Sequence, residues 1–440
     1  MTNIQTVLLQ QLTNAIAGPL HALTRRDVRL PGVPGKAMAV VGMRRAGKTT
    51  FLRQCLRDRL DQGRPRESLV LLGLEDDRLA GIETSDLDWL VEEYFRQYPA
   101  LRHGGSLTLC LDEIQTVPGW ERLARRLMDT EQIELFLSGS SAKLLSREVA
   151  TALRGRAMEV LVHPFSFREA LRHAGQEPAQ SWEKLDKAER STLEHHLRQY
   201  LVAGGFPEAQ GTEPRDRIQL LRSYVDTTVL RDVIERHAVS NPVALRWLQR
   251  QLLGSPAGAF SVTKFFAAMQ SQGIAVGKDT VYQYLSYLED TFLVRTVSLH
   301  TASERQRMVN PRKAYPVDPG LISVYERSGR AQAGHALETA VLVELERRGY
   351  EAGYLKTAED WEVDFFAVAP GKQSLLIQVC SETGNPATLD RELRALRSAM
   401  TVHPAARPML VTLDGAPPPA EVPDGVIWWP AARWLLEPED

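Results

Sequence analysis

A parallel α/β sheet is predicted for the first third of this sequence, and three observations predict it. Short apolar runs at 38–41, 69–72, 107–111 and 135–137 alternate with helical patterns at 49–60, 87–98 and 120–129. The first of these runs leads straight into a glycine-rich loop that opens a helix. The third ends in two adjacent carboxylates, Asp112 and Glu113. A helix between two strands returns the chain to the same end of the sheet, which makes the strands parallel.

Length and composition bound what surrounds this sheet. With 440 residues the chain has room for about three domains and needs no disulfide staples. Hydrophobic residues at 43% and charged residues at 25% exclude wholesale disorder. The net charge of -2 excludes a generally basic nucleic-acid coat, so any such contact needs a local patch. Of the 53 basic residues 43 are arginine, the side chain suited to bidentate phosphate contacts. Cys55, Cys110 and Cys380 lie far apart without a CxxC pair and read as buried thiols in a reducing compartment. No run approaches about 18 consecutive apolar residues, so no membrane span is expected. With no secretory cleavage pattern either, the expected location is cytoplasmic.

Element by element, residues 4–27 read as an amphipathic helix ending near a Gly-Pro break, with a proline and glycine cluster at 31–35 after it. The strand and helix alternation follows. After about residue 170 the pattern turns helical through 185–252, interrupted at Gly204-Gly205-Phe206-Pro207. Residues 261–300 show helix, turn, helix and strand, and an arginine-rich loop at 304–313 leads into a mixed segment at 314–436.

Gly42-Met43-Arg44-Arg45-Ala46-Gly47-Lys48-Thr49 fits G-x-x-x-x-G-K-[ST] in full, with the required strand before it and helix after it. Backbone N–H groups of Gly42, Arg45, Ala46, Gly47, Lys48, Thr49 and Thr50 are expected to cradle the phosphates of ATP. Lys48 is expected on the β- and γ-phosphates and the Thr49 hydroxyl on Mg²⁺. Asp112 would share the Mg²⁺, and Glu113 would polarise the attacking water. The strand at 135–137 runs into Ser138-Gly139-Ser140-Ser141. There Ser140 or Ser141 contacts the γ-phosphate, or else caps a helix at 142–147. Arg156, in Leu153-Arg154-Gly155-Arg156, stands where an arginine could act on a neighbouring subunit's γ-phosphate.

Together these segments resemble the AAA+ superfamily of P-loop ATPases. More narrowly, the chain is similar to a bacterial and archaeal group of AAA-type ATPases with a C-terminal domain of the restriction-nuclease kind. GMRRAGKTT at 42–50, LDEIQTVPGWE at 111–121 and LSGSSAKLLSREVATALRGRA at 137–157 carry the likeness. HPFSFREAL at 163–171, AGGFPEA at 203–209, LETAVLVELERRG and EVDFF extend it to nearly the whole chain. The resemblance implies a nucleotide site between subunits of a ring-like homo-oligomer such as a hexamer. It places Ser140 at the sensor position and Arg156 as the trans-acting arginine, and leaves the second sensor arginine without a match. It implies a P-loop AAA+ parallel-sheet core at 36–172 after an N-terminal helix and linker at 1–35. A helical lid at 173–257, a winged helix at 258–303 and a small α/β nuclease-like domain at 304–440 would follow. The Gly204-Gly205-Phe206-Pro207-Glu208 signature reads on its residues as a helix terminator feeding a tight turn.

In the winged helix, Lys278, Thr280 and Gln283 are the side chains expected to face a DNA groove. Arg305, Arg307, Arg312 and Lys313 would add phosphate contacts. The second helix carries few positive charges, so packing within the lid or a protein partner stays open.

The C-terminal segment resembles the PD-(D/E)XK nuclease core, which takes a helix acid, a strand aspartate and an acid-x-lysine triplet. Glu338 and Asp364 match the first two, whereas Gln378 stands for the second acid and Cys380 for the lysine. Metal-assisted cleavage needs several carboxylates and a cation near the attacking water, so the expectation is a degenerate nuclease fold that binds without cutting. The expected function is Mg²⁺-dependent ATP hydrolysis coupled to binding and remodelling or translocation on DNA. A nucleotide-controlled scaffold for protein partners and an ATP-gated nuclease are the alternatives.

Overall fold

The computed structural model describes residues 2–103, 106–139, 153, 155–326, 333–419 and 422–437. They form two compact units, Met1–His163 and Pro164–Asp440.

The first unit is a helix-flanked parallel sheet. Its strands are β1 (Ala37–Val41), β2 (Leu69–Gly73), β3 (Leu107–Asp112), β4 (Ile133–Gly139) and β5 (Ala157–Leu161). They lie in the order β2-β3-β4-β1-β5, with every neighbouring pair parallel. Every residue of β1 and β3 is buried, which is why both strands read as continuous apolar runs. The connections carry α2 (Lys48–Asp61), α3 (Thr84–Gln97), α4 (Pro99–His103) and α5 (Trp120–Thr130). Parallel strands end on one side, so the carboxyl ends of β1, β3 and β4 share a rim, where open α/β sheets place their ligands.

The N-terminal helix, α1, spans Asn3–Ala17 and stops well short of residue 27. Pro19 follows Gly18, whose ψ of 147° is extended, and a proline pushes its predecessor out of helical space. Leu20, inside the span expected as helix, and Val28 and Leu30 after it pack on the sheet core around Phe51 and Leu56.

The second unit begins with α6 (Phe167–His173), α7 (Lys187–Ala203) and α8 (Pro214–Thr227), which runs on as a π-helix over Thr228–Glu235. α9 (Pro242–Gly254) leads to a helix–turn–helix pair, α10 (Val262–Ser271) and α11 (Lys278–Asp290). A three-stranded antiparallel sheet is built from β6 (Ala259–Phe260), β7 (Val294–Val297) and β8 (Arg312–Pro316), in the order β6-β8-β7. The arginine-rich stretch expected as a loop holds a short helix, α12 (Glu304–Val309), capped by Ser303. α13 (Gly320–Tyr325) follows.

The last part of this unit is a mixed five-stranded sheet with α14 (Ala333–Arg347), α15 (Pro386–Val402) and α16 (Ala431–Leu436). Its strands are β9 (Glu351–Lys356), β10 (Glu362–Val368), β11 (Leu375–Cys380), β12 (Arg407–Thr412) and β13 (Ile427–Pro430). Hairpins make β9, β10 and β11 antiparallel, whereas the α15 crossover makes β11 and β12 parallel. Leu337, Val341 and Leu345 of α14 pack in one core with Phe365 and Ile377.

The Gly-Gly-Phe-Pro signature has a packing role here. Gly204 has φ 77°, and a Cβ on it would meet Asp318 Oδ1 at 1.9 Å. A Cβ on Gly205 would meet the Phe165 carbonyl oxygen at 2.0 Å. The Gly205 N–H donates to Asp318 Oδ2 at 2.6 Å, and its carbonyl accepts from the Phe165 N–H at the same distance. The signature closes α7 and locks it against the start of the unit and the β8–α13 turn.

Candidate nucleotide and carboxylate sites

The nucleotide site is assembled at the rim where β1, β3 and β4 end. Gly42 leaves β1 at φ 148°, and a Cβ there would lie 2.2 Å from the Val162 carbonyl oxygen, so only glycine passes. Arg45 and Gly47 also have positive φ, at 66° and 101°, which curls the loop before α2 begins at Lys48. The loop's N–H groups and the amino end of α2 thus surround one concavity suited to an anion.

Lys48 is buried, and its ammonium donates to the carbonyls of Gly42 at 3.1 Å and Met43 at 3.3 Å. It also lies 3.8 Å from Glu113 Oε1. Thr49 Oγ1 donates to Asp112 Oδ2 at 2.6 Å. Burial pushes the Asp112 carboxyl up, and hydrogen bonds from Ser138 and Thr49 oppose that. The Thr49 hydroxyl and the Asp112 carboxylate are hard oxygen donors already side by side, so the residues fit Mg²⁺.

Two participants escaped the sequence reading. Ser138, wholly buried on β4, donates through Oγ to Asp112 and accepts from the Glu113 N–H at 3.1 Å. Its signal was its place in the strand: β4 pairs Val40 with Ser138, one residue from the end of β1. Ser140 and Ser141, the residues expected at this point, lie outside the described residues. Arg26 is the second. Its guanidinium donates to the carbonyl of Ala46 at 2.9 Å and to that of His163, clamping the phosphate loop from behind. An arginine in an extended linker carries no sequence signal.

Glu113 follows β3 at φ 56°, and its carboxylate accepts from the Gln115 side chain. Arg156 is not part of this cluster. It precedes β5, and its carbonyl accepts from the Ala37 N–H at the amino end of β1. Five strand residues, about 17 Å, therefore separate it from the rim where the phosphate loop begins. Its side chain is 43% exposed and pairs with Asp129.

In the second unit, Lys278 and Gln283 are exposed and Thr280 half-exposed on α11. Arg305, Arg307 and Arg312 are exposed as well. Lys313, expected as an exposed phosphate contact, is instead 5% exposed on β8. Only Arg312, at the start of β8, is exposed; Lys313 begins the stretch in which every residue of the strand is buried. Its ammonium lies 2.7 Å from Glu362 Oε1 and 3.3 Å from Asp364 Oδ1. Burial works against its charge, but Asp364, Glu338 and Glu362 outweigh burial and hold the ammonium above the ordinary lysine range.

Lys313 thereby joins the nuclease-motif residues Glu338, Asp364 and Gln378. The expectation of a carboxylate set without a lysine is corrected here, because the ammonium comes from another sheet. Burial, and then the neighbouring Asp364, push the Glu338 carboxyl well up. Glu392 of α15 is a further acid that the motif did not anticipate, and it accepts from Gln378 Nε2 at 2.5 Å. Cys380 is buried on β11, and burial raises its thiol.

Residues 34–171 match the family model of an AAA domain, 194–329 that of a domain of unknown function, and 330–422 that of a restriction endonuclease. An uncharacterised protein of Methanocaldococcus jannaschii is 31% identical over 379 residues, covering 85% of this chain and 81% of its own. One from Haemophilus influenzae is 28% identical, covering 78% and 82%. Among solved structures, the Walker-type ATPase of Pyrococcus abyssi overlaps loosely, with a TM-score of 0.41 and 14% identity over 72% of this chain and 94% of that one. With the parallel-sheet order, the phosphate loop and the mixed nuclease-like sheet in place, the chain belongs to the family of AAA-type P-loop ATPases that carry a C-terminal domain of the restriction-endonuclease kind.

Proposed function

We propose that this protein hydrolyses ATP with Mg²⁺, works as a ring-like homo-oligomer and acts on DNA. The observation that carries the reading is the Thr49 hydroxyl set 2.6 Å from Asp112, with Lys48 and Glu113 alongside. Lys48 exchanges its two carbonyl partners for phosphate oxygens when ATP enters. The loop N–H groups hold the remaining phosphate charge. Mg²⁺, held by Thr49 and Asp112, would neutralise charge on the β- and γ-phosphates. Glu113, fixed by Ser138 through its N–H and by Gln115 through its carboxylate, orients the attacking water and takes its proton.

Arg156 is exposed at the opposite end of the sheet from its own phosphate loop, which supports action on a neighbouring subunit. For DNA, α10, α11 and the β6-β8-β7 sheet serve as a winged helix. Lys278, Thr280 and Gln283 then lie at the groove, with Arg305, Arg307 and Arg312 on phosphates. A second reading, a nucleotide-controlled scaffold for a protein partner, is favoured by Met308 and Val309, which are 79% and 72% exposed on α12.

The test is turnover with and without duplex, branched and single-stranded DNA at low salt. Lys48→Ala is expected to lose nucleotide binding, whereas Glu113→Gln binds ATP and stalls. Wild-type turnover by Glu113→Gln refutes the role of Glu113. If DNA neither binds nor stimulates, the scaffold reading replaces the DNA reading.

A further inference from the structure

A restriction-endonuclease sheet implies a divalent cation beside its helix acid and strand aspartate, here Glu338 and Asp364, and the groups around them do not fit one. A hard cation takes oxygen donors on several sides. Among the described residues, no three acidic, imidazole or thiol groups are gathered for a metal ion. Asp364 Oδ1 faces the Lys313 ammonium at 3.3 Å, and Oδ2 accepts from Gln378 Nε2 at 2.9 Å and from the Val379 N–H at 3.1 Å. Glu392 accepts from the same Gln378 nitrogen through Oε2 at 2.5 Å and from Arg391 through Oε1. Every oxygen of these two carboxylates therefore meets a donor already. Gln378 is 2% exposed, and its Oε1, the atom a cation would use, has no hydrogen-bond partner. The amide turns its nitrogen to the acids instead.

What these acids do fit is an ammonium. Lys313 Nζ lies 2.7 Å from Glu362 Oε1, 3.3 Å from Asp364 Oδ1 and 5.9 Å from the centre of the Tyr354 ring. Carboxylates and an aromatic ring are the surroundings that hold an alkylammonium. The backbone delivers it. Lys313 pairs with Ala259 and Val297 in the three-stranded sheet. The residues after β7 are bonded in turn to β9: the His300 N–H donates to the Tyr354 carbonyl at 2.7 Å, and the Tyr354 N–H to the Ser298 carbonyl at 3.1 Å. The Tyr354 hydroxyl donates to the Pro311 carbonyl at 2.7 Å. Lys313 thus reaches the acids from a strand fixed on both sides, and its ammonium stands among them as a tethered ligand. Removing one partner of such a buried pair leaves an uncompensated charge, which destabilises far more than the intact pair stabilises.

We propose that the acidic cluster of the mixed sheet is an ammonium site in place of a divalent-cation site, that the chain's own Lys313 fills it, and that this ammonium ties the three-stranded sheet to the mixed sheet without metal. Lys313 lies outside the segment that matches the restriction-endonuclease family, so the family motif does not assign it. The inference depends neither on ATP hydrolysis nor on DNA contact. The ligand class follows from the fit: a primary alkylammonium, whose N–H groups reach the Glu362 and Asp364 carboxylates while its alkyl stem lies along β8. Truncation of Lys313 to alanine removes Cγ, Cδ, Cε and Nζ, the atoms of propylammonium, so the vacated slot has the shape and charge preference of that ion.

The experiment uses the full chain without nucleotide, carrying Asp112→Asn so that the Thr49–Asp112 pair does not answer for added metal. Thermal melts are recorded with EDTA, Mn²⁺, propylammonium chloride, sodium chloride or propanol, and Mn²⁺ binding is measured by calorimetry. The parent is expected to melt alike in EDTA and Mn²⁺. Adding Lys313→Ala is expected to lower the melting temperature by about 10 °C. Propylammonium is expected to restore it in a saturable manner, whereas sodium chloride, propanol and Mn²⁺ at the same concentrations do not. Should Ala leave the chain unfolded even with propylammonium, Lys313→Met and Asp364→Asn are compared singly and together. The pair is then expected to lose less stability than the two single losses summed. Mn²⁺ binding by the parent that Asp364→Asn abolishes overturns the proposal. So does a Lys313→Ala chain that melts like the parent, or one restored by Mn²⁺ or propanol as well as by propylammonium. Losses that simply add in the Met and Asn comparison overturn it too.

Discussion

Arg45 and Glu113 sit on backbone that L-residues seldom adopt, at φ 66° and 56°, and both lie in the nucleotide site. Each such residue costs about 1 kcal/mol, a strain that persists where surrounding bonds over-determine it. For Glu113 the restraint is Ser138, which accepts its N–H while donating to Asp112. Ser138 is thus a positioning residue for both acids. Ser138→Ala is expected to lower kcat about tenfold, the worth of one hydrogen bond, while leaving KM for ATP near wild type. A rise in KM with kcat unchanged would refute this, because Ser138 would then act on binding. The motif residues were legible in the sequence, since a phosphate loop is defined by spacing along one segment. Ser138 and Arg26 were not, because each acts across strands or from a linker, where proximity is set by folding.

At the scale of elements, the joint between α7 and the β8–α13 turn is the most sensitive one. Asp318 is buried, and burial pushes its carboxyl from 3.8 up to about 7, against the N–H groups of Gly205 and Gly320. The folded chain therefore holds a proton that the unfolded chain releases between those values. Stability falls as pH rises through this window, by up to about 4 kcal/mol. Asp318→Asn has no such titration, so wild type is expected to lose stability relative to it between about pH 4 and pH 7 in denaturant melts. Parallel curves for the two proteins would refute the assignment. Gly204→Ala at the same joint is expected to cost about 2–4 kcal/mol, because its Cβ meets Asp318 and its φ is positive. Helices and strands themselves were largely readable from periodicity. The end of α1 was less so, because Leu20 carries the apolar pattern past Gly18 although the chain there is no longer helical.

For the whole molecule, the near-neutral charge of -2 constrains the DNA reading. Arg307 pairs with Glu304 at 3.9 Å and Arg312 approaches Glu289 at 4.0 Å, so part of the local basic charge is already countered. If these arginines still meet phosphates, replacing Arg305 and Arg307 by Ala is expected to reduce the salt dependence of DNA binding by about two phosphate contacts. An unchanged slope places the DNA elsewhere. Arg156→Ala is expected to keep ATP binding and to slow turnover only in the assembled oligomer. Equal slowing at dilutions where the chain is monomeric would show a role within its own subunit.

The sequence by itself determined the nucleotide machinery, since strand, loop, helix and acidic strand end are local patterns with one chemical reading. It also determined that the strands of the first sheet run parallel, through the alternation of apolar runs and helices, whereas their order came from the fold. Only the tertiary structure decided which lysine faces Asp364. Lys313 is 51 residues away in the chain and reads as one more basic residue of an arginine-rich stretch. It begins the buried stretch of β8, and the antiparallel pairing of β7 with β8 fixes its place there. A motif searched on one strand finds Cys380, whereas the interior, where charges must find partners, assembles the site from several.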